Sequence, residues 1–291
     1  MSVSSASSRF LRRLPILFAG GGVYGAAVYY SYGFFRAKNQ DEDEHDAASG
    51  CACCTSAAAG ALRVQQYNSI ADTYDKAIGM DELILGINLL RRILLSWHAQ
   101  GTVLEVGAGT GRNLPYYTNT KAQRVLMVEL SEPMCQQARQ KIQKLQESRS
   151  TAQQYTVKQG DSQDLHFCPN NAFDTVVDTF GLCSYENPAR VLKEMARVCK
   201  PDGKILLLEH GRSQTWQWMS DYLDKNAEAH ARKWGCIWNR DLDALLEQVG
   251  EDLEVQALDK WHFGTTYYVV CKPKQKAARA TAAVSSKESS S

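Results

Sequence analysis

Between residues 62 and about 272 the chain alternates between two spacings of hydrophobic residues. Short apolar or β-branched runs at residues 102–106, 124–130, 173–178 and 204–209, with the more polar 155–159, predict five strands. Residues 131–146 and 188–199 separate some of them with apolar positions at helical spacing, and the first of these helices opens on Ser131, Glu132 and Pro133, residue types that helix starts prefer. Lys200-Pro201-Asp202-Gly203 predicts a turn into the fifth strand. Ahead of the first strand, residues 67–74 and 80–97 predict two helices, the second with Leu83, Ile84, Ile87, Leu90 and Leu94 on one face. Strands alternating with helices predict an α/β fold, doubly wound around a mostly parallel sheet. The two leading helices would lie as a lid across the cleft that such sheets form outside the carboxyl ends of their strands.

Both ends depart from this rhythm. Residues 1–14 are rich in serine and carry Arg9, Arg12 and Arg13 without an acidic residue, like a mitochondrial presequence. Residues 15–35 are uncharged and long enough to cross a bilayer, which takes about 20 apolar residues. Tyr29, Tyr30 and Tyr32 suit the interfacial belt at the exit. A cleaved secretory signal fits less well, because the run ends in Phe34-Phe35-Arg36 with no small-residue cleavage site. A transmembrane helix is therefore predicted at 15–35, a tether at 36–61, the α/β domain at 62–273 and an unstructured tail at 274–291. Arginines before the span and Arg36 and Lys38 after it leave orientation weakly set, leaning toward a matrix-side N-terminus.

Composition narrows the class further. With 291 residues and 44% hydrophobic content the chain can bury one full-sized core. A net charge of +1 with no basic stripe argues against nucleic acid as a partner. The nine cysteines are scattered, as small apolar residues in reduced form would be. Cys51, Cys53 and Cys54 lack a second ligand pair at suitable spacing, so no metal site is predicted.

The most specific motif is Thr102 to Asn113, TVLEVGAGTGRN, an apolar strand running into Glu105-x-Gly107-x-Gly109-x-Gly111. Alternate glycines let backbone approach a ligand that a Cβ would repel. The dinucleotide pattern G-x-G-x-x-G fails, since its third glycine falls on Arg112, and the phosphate loop fails for want of Gly-Lys-Ser/Thr. About twenty residues on, the second strand ends on Glu129, an acid placed to accept ribose hydroxyls or merely to end a strand.

The E-x-G-x-G-x-G loop resembles that of class I methyltransferases using S-adenosylmethionine (SAM). Together with VLMVELSEPM, GDSQDLHF, FDTVVDTFGLCS and RVCKPDGKILLLEH it covers most of residues 102–211 and resembles the type 11, ubiquinone/menaquinone C-methyltransferase-like family. Tyr67-x-x-x-Ala71-x-x-Tyr74-Asp75 resembles that family's entry helix, and WGCIWNRD at 234–241 with KWHFG at 260–264 looks like its membrane-anchored mitochondrial and endoplasmic-reticulum branch. The resemblance implies a seven-stranded Rossmann-like SAM methyltransferase sheet. It implies a cofactor site of Glu105, Gly107, Ala108, Gly109, Gly111, Asn113, Glu129, Leu130, Asp161, Ser162 and Thr179, with Glu129 on the ribose and Asp161 on the adenine amine.

For the reaction itself the candidates are Asp178, His210 and His262 as catalytic groups, with Arg240 and Cys183 near the substrate. Positioning supplies much of the acceleration in a methyl displacement, so a base is not obligatory. Cys183 also reads as core, because no His or Asp nearby in sequence marks it as activated. Trp216, Trp218, Trp234 and Trp238 suit an apolar acceptor pocket, sheet packing or a bilayer surface. The implied function is methyl transfer to a small lipophilic or thiol acceptor, at the mitochondrial inner membrane or alternatively that of the endoplasmic reticulum. Methylation of protein or RNA, or non-catalytic assembly of a mitochondrial membrane complex, are the alternatives.

Overall fold

Seven strands form one mixed sheet in the order β3-β2-β1-β4-β5-β7-β6. In the computed structural model, which describes residues 56–148 and 153–274, helices α1 (Ser56–Ile70), α2 (Tyr74–Ile84) and α3 (Ile87–His98) precede β1 (Gln100–Val106). A short α4 (Leu114–Tyr117), β2 (Lys121–Glu129), α5 (Glu132–Ser148), β3 (Gln154–Gln159), β4 (Phe173–Thr179), α6 (Pro188–Val198) and β5 (Cys199–His210) follow. The chain then forms α7 (Gln217–Trp234), α8 (Leu242–Gln248), β6 (Leu253–Trp261) and β7 (Thr266–Pro273). The first five strands pair in parallel, whereas β7 pairs antiparallel with both β5 and β6.

Alternation along β5 shows why the sheet needs helices on both faces. Ile205 and Leu207 point into one core with Leu104, Val176, Leu192 and Met195, and Leu206 and Leu208 into the other with Leu94, Val103, Met127 and Val177. α6 covers the first core and α3 the second. The strand order, not the strand direction, reverses at β1, which has β2 on one side and β4 on the other. A ligand crevice is expected outside the carboxyl ends of these strands.

The predicted helix at 80–97 is two helices. Gly86 sits at φ 68° in the left-handed region, ending α2 and starting α3, with its carbonyl accepting the Leu89 and Leu90 amides. The predicted turn at 200–203 is a bulge within β5. Phe173 pairs with Cys199 and Thr175 with Lys204, so β4 advances two residues while β5 advances five. α1 begins at Ser56, inside the stretch read as tether. The predicted transmembrane span, the cysteines at 51, 53 and 54, and the tail from residue 275 lie outside the described residues. Among the described residues no helix is long and apolar enough to cross a membrane.

Candidate active site

β1 delivers the chain into the crevice as the loop carrying Gly107, Gly109 and Gly111, at φ 56°, 54° and 77°. These values disfavour side chains, but the glycines serve different ends. A Cβ on Gly107 would lie 2.3 Å from the Tyr185 hydroxyl, and one on Gly111 would lie 2.7 Å from Leu114 Cδ1 and 3.3 Å from Ala138 Cβ. Gly111 thus seats the loop on α4 and α5. A Cβ on Gly109 would meet no protein atom within 4 Å, because it would project into the crevice.

The crevice is a cavity of about 410 Å³. Glu105, Gly107, Ala108, Gly109, Glu129, Leu130, Asp161, Ser162 and Thr179 line it, so most of the residues implied by the resemblance converge there. Gly111 and Asn113 do not line it. Asn113 is buried, giving its amide hydrogens to Glu105 Oε1 (3.1 Å) and Thr179 Oγ1 (3.0 Å), and it therefore braces the loop from beneath.

Glu129 ends β2 with each carboxylate oxygen taking one backbone amide, Oε2 from Gly109 (2.9 Å) and Oε1 from Ser131 (2.8 Å). An ionised carboxylate offers about four acceptor positions, which leaves capacity for a vicinal diol. Burial raises its pKa, opposed by those backbone amides. Asp161 forms an Asx turn, its Oδ1 accepting the Gln163 amide (2.8 Å), and it borders the same cavity. Ser162 Oγ accepts the Gly107 amide (3.3 Å), linking the β3 loop to the glycine loop. A glycine open to the void, a carboxylate at each of two strand ends and an uncluttered volume fit an adenosyl cofactor.

A buried polar frame holds this loop in place. Glu105 accepts from the Tyr117 hydroxyl (2.8 Å) as well as from Asn113, so both its oxygens are engaged by protein, and burial pushes its pKa up to about 7. Arg91 Nη1 donates to Asn113 Oδ1 (3.0 Å) and Thr179 Oγ1 (2.7 Å), while Nη2 donates to Glu82 (2.8 Å). Glu82 is shared with Arg112, which with Lys141 also pairs Asp75, and Asp75 accepts from Thr110 in the loop (2.7 Å). Arg91 lines the cavity and was not singled out from the sequence. A signal was present, because Arg91 stands on the stripe of Ile87, Leu90 and Leu94, where a charge belongs only if something beneath receives it.

The leading helices do cover the cleft. Arg63, Val64 and Tyr67 of α1 and Tyr74 of α2 line the cavity. α1 is stapled down by Tyr67, whose hydroxyl lies 2.5 Å from Ser184 Oγ, by Arg63 donating to the Ser184 carbonyl (3.2 Å), and by Asn68 accepting from Ser131 Oγ (2.6 Å).

The candidates for the reaction are placed differently from the expectation. His262 has its two ring nitrogens 2.8 Å from Thr266 Oγ1 and from the Leu85 carbonyl oxygen, and it occupies the β6–β7 turn at φ 53°. It ties that hairpin to the end of α2 and does not line the cavity. Asp178 is buried beneath Gly181 and Tyr185, outside the cavity wall. Burial raises its pKa well above the carboxylate range, reinforced by nearby charge, and Glu209 is raised in the same way by burial and Asp178. Glu209 accepts the Gly181 and Leu182 amides (3.3 and 3.2 Å), fixing the loop after β4. Arg240 donates to the Tyr185 carbonyl (3.1 Å) behind that loop.

His210 and Cys183, far apart in sequence, come together with Cys236. His210 Nε2 lies 2.8 Å from Cys236 Sγ, and one ligand atom from each of the three residues lies within 4.8 Å of the others. The cluster sits behind the cavity wall formed by Phe180 and Ser184. Cys183 is accordingly no simple core residue. None of the four tryptophans lines the cavity. Trp238 stacks on His230 and donates to the Leu223 carbonyl (2.9 Å), whereas Trp216 and Trp218 are half exposed, edge-on to Phe263.

The sheet order, the glycine loop and the two strand-end carboxylates define a Rossmann-like fold of the SAM methyltransferase class. The solved structure of a complex of DhpI with SAH superposes on it with a TM-score of 0.57 at 17% identity, covering 76% of this chain and 100% of that one. A family model described as "Methyltransferase domain", of type 11, matches residues 104–207, from β1 into β5. "Methyltransferase OMS1, mitochondrial" of Saccharomyces cerevisiae is 35% identical over 221 residues, 72% of this chain and 45% of the relative. "Thiol S-methyltransferase TMT1A" of Homo sapiens is 30% identical over 118 residues, 40% of this chain and 46% of the relative. The chain thus spans about half the length of these relatives. It carries a class I SAM-dependent methyltransferase domain of type 11.

Proposed function

We propose that the protein is a membrane-tethered enzyme that transfers the methyl group of SAM to a small lipophilic or thiol acceptor. The observation that carries this reading is the cavity over Gly109, bordered by Glu129 and Asp161 and roofed by α1 and α2. SAM, when bound, supplies a methyl group on a positively charged sulfur. The glycine loop gives it room, Glu129 receives its ribose, Asp161 and Ser162 meet its adenine, and Tyr67, Tyr74 and Phe180 exclude water around the reacting end. Exclusion of water suits displacement at a sulfonium, where an acceptor held close and in line contributes on the order of 7 to 11 kcal/mol.

An acceptor that partitions into lipid suits an enzyme anchored through residues 15–35, and a thiol acceptor is supported by the human relative's name. The exposed trio of Trp216, Trp218 and Phe263 suits the aromatic composition of a membrane interface. The yeast relative's name supports a mitochondrial location, and the span at 15–35 supports single-pass insertion in the inner membrane.

Incubation of the full chain with methyl-tritiated SAM and a mitochondrial extract, followed by organic extraction, tests the acceptor. Counts in small molecules are expected. Counts confined to protein or RNA would replace the small acceptor by a macromolecule. Absence of any calorimetric heat with SAM or its demethylated product would leave a non-catalytic assembly role.

A further inference from the structure

We propose that Cys183, His210 and Cys236 form a binding site for a soft divalent cation of the zinc class, with its fourth position left to a non-protein ligand. Two sulfurs and one imidazole nitrogen within 4.8 Å of one another are the observation. Tetrahedral zinc, with bonds of about 2.3 Å to sulfur and 2.0 Å to nitrogen, sets its donors about 3.5 to 3.8 Å apart. The His210 Nε2 to Cys236 Sγ separation of 2.8 Å therefore has to widen by about 0.7 Å, within reach of a side-chain rotation. Thiolate and imidazole donors select zinc and its soft neighbours over magnesium or calcium, which prefer oxygen. Two thiolates also neutralise a divalent charge in a place where an unpaired ion would be costly.

Three elements distant in sequence supply these donors. Cys183 lies on the loop after β4, His210 ends β5, and Cys236 follows Gly235, the left-handed residue that ends α7 at φ 65°. The Ile237 amide donates to the Cys183 carbonyl (3.0 Å), bringing the two cysteine segments side by side. The Phe180 ring packs edge-on against the His210 imidazole, with centroids 5.4 Å apart, and so restrains its orientation. Both cysteines are almost wholly buried.

Among the described residues no fourth His, Cys, Asp or Glu joins the group. Closed structural zinc sites have four protein ligands, whereas sites with three leave a position for water or a substrate atom. Ser184 Oγ, 3.4 Å from Cys183 Sγ, belongs to a residue that lines the cavity, so the cluster is one side chain away from that crevice.

The test uses the full chain with Cys51, Cys53 and Cys54 replaced by serine, reduced, freed of metal with a chelator and titrated with cobalt(II). One equivalent is expected to produce thiolate-to-cobalt charge-transfer bands and the d–d bands of tetrahedral cobalt, both abolished by zinc. Cys183→Ser and Cys236→Ser should each remove about half of the charge-transfer intensity or all of it, while Cys168→Ser leaves it unchanged. In the unaltered chain, zinc should slow alkylation of Cys183 and Cys236 relative to Cys168, a readout that does not require a folded variant. Absence of cobalt bands, bands that survive both substitutions, or equal alkylation with and without zinc would overturn the proposal.

Discussion

The two walls of the crevice are built in opposite ways. The wall made by β1, β2 and their loops is sequence-local: Gly109, in the loop after β1, and Glu129, at the end of the adjacent parallel strand β2, are 20 residues apart and joined by one hydrogen bond. The wall made by the loop after β4 is backed by distant pieces, the end of β5 and the segment after α7, and behind it Cys183, His210 and Cys236 meet only because the fold brings three elements to one corner. The first wall rests on a local glycine pattern and one strand-end carboxylate, while the second is backed by side chains that only the tertiary fold brings together.

Breaking the frame under the first wall should have the largest effect. Arg91→Met leaves the buried Glu82 with Arg112 as its remaining guanidinium partner and removes the charged donor to Asn113 and Thr179, and it should cost about 3 kcal/mol of unfolding free energy in urea melts. A loss below about 1 kcal/mol would mean that the glycine loop stands without the frame. Gly109→Val should leave the sheet folded by circular dichroism but weaken SAM binding at least about 100-fold, or about 2.7 kcal/mol, by calorimetry. The valine both fills the void and forces a branched side chain to φ 54°.

A smaller effect is expected at the ribose acid. Glu129→Ala should raise the dissociation constant for SAM by about 1 to 3 kcal/mol, since charged hydrogen bonds are lost, with an unchanged constant placing the ribose elsewhere. The pH dependence should be the gentlest signal. Glu105 has its pKa raised by burial from an ordinary 4.5 to about 7, so the folded chain binds more protons there than the unfolded one and stability falls as pH rises through that window. Glu105→Gln should reduce this slope by about 1 kcal/mol per pH unit. Asp75, Asp174 and Glu194, whose pKa values are lowered by lysine or arginine partners, act with the opposite sign, below the ordinary carboxylate range.

Legibility in the sequence follows the same division. The carboxyl halves of β1, β4 and β5 are near-continuous apolar runs, because strands buried on both faces need little polar alternation, whereas the edge strand β3 is largely polar, and the glycine loop with Glu129 is readable because its spacing is local. Gly86 carried the break between α2 and α3 in plain view, but the apolar stripe continued across it and masked it. The insertion of β7 between β5 and β6 is a choice of partner between strands, to which no residue pattern along either strand points. His262 resembled a catalytic residue and is a hairpin tie, while Cys183 was only half legible because its partners lie 27 and 53 positions downstream. Sequence proximity finds groups that act on backbone, and topology alone finds groups that act on each other.

The position of β7 has a consequence for how the molecule comes into being. Because β6 is joined to the sheet solely through β7, among the described strands, the ribosome must have released residues up to 273 before β6 has anywhere to go. Until then the outer margin of β5 from Ile205 to His210 carries unpaired amides and carbonyls, and a nascent domain in that state remains pliable enough to be threaded or bound by a chaperone.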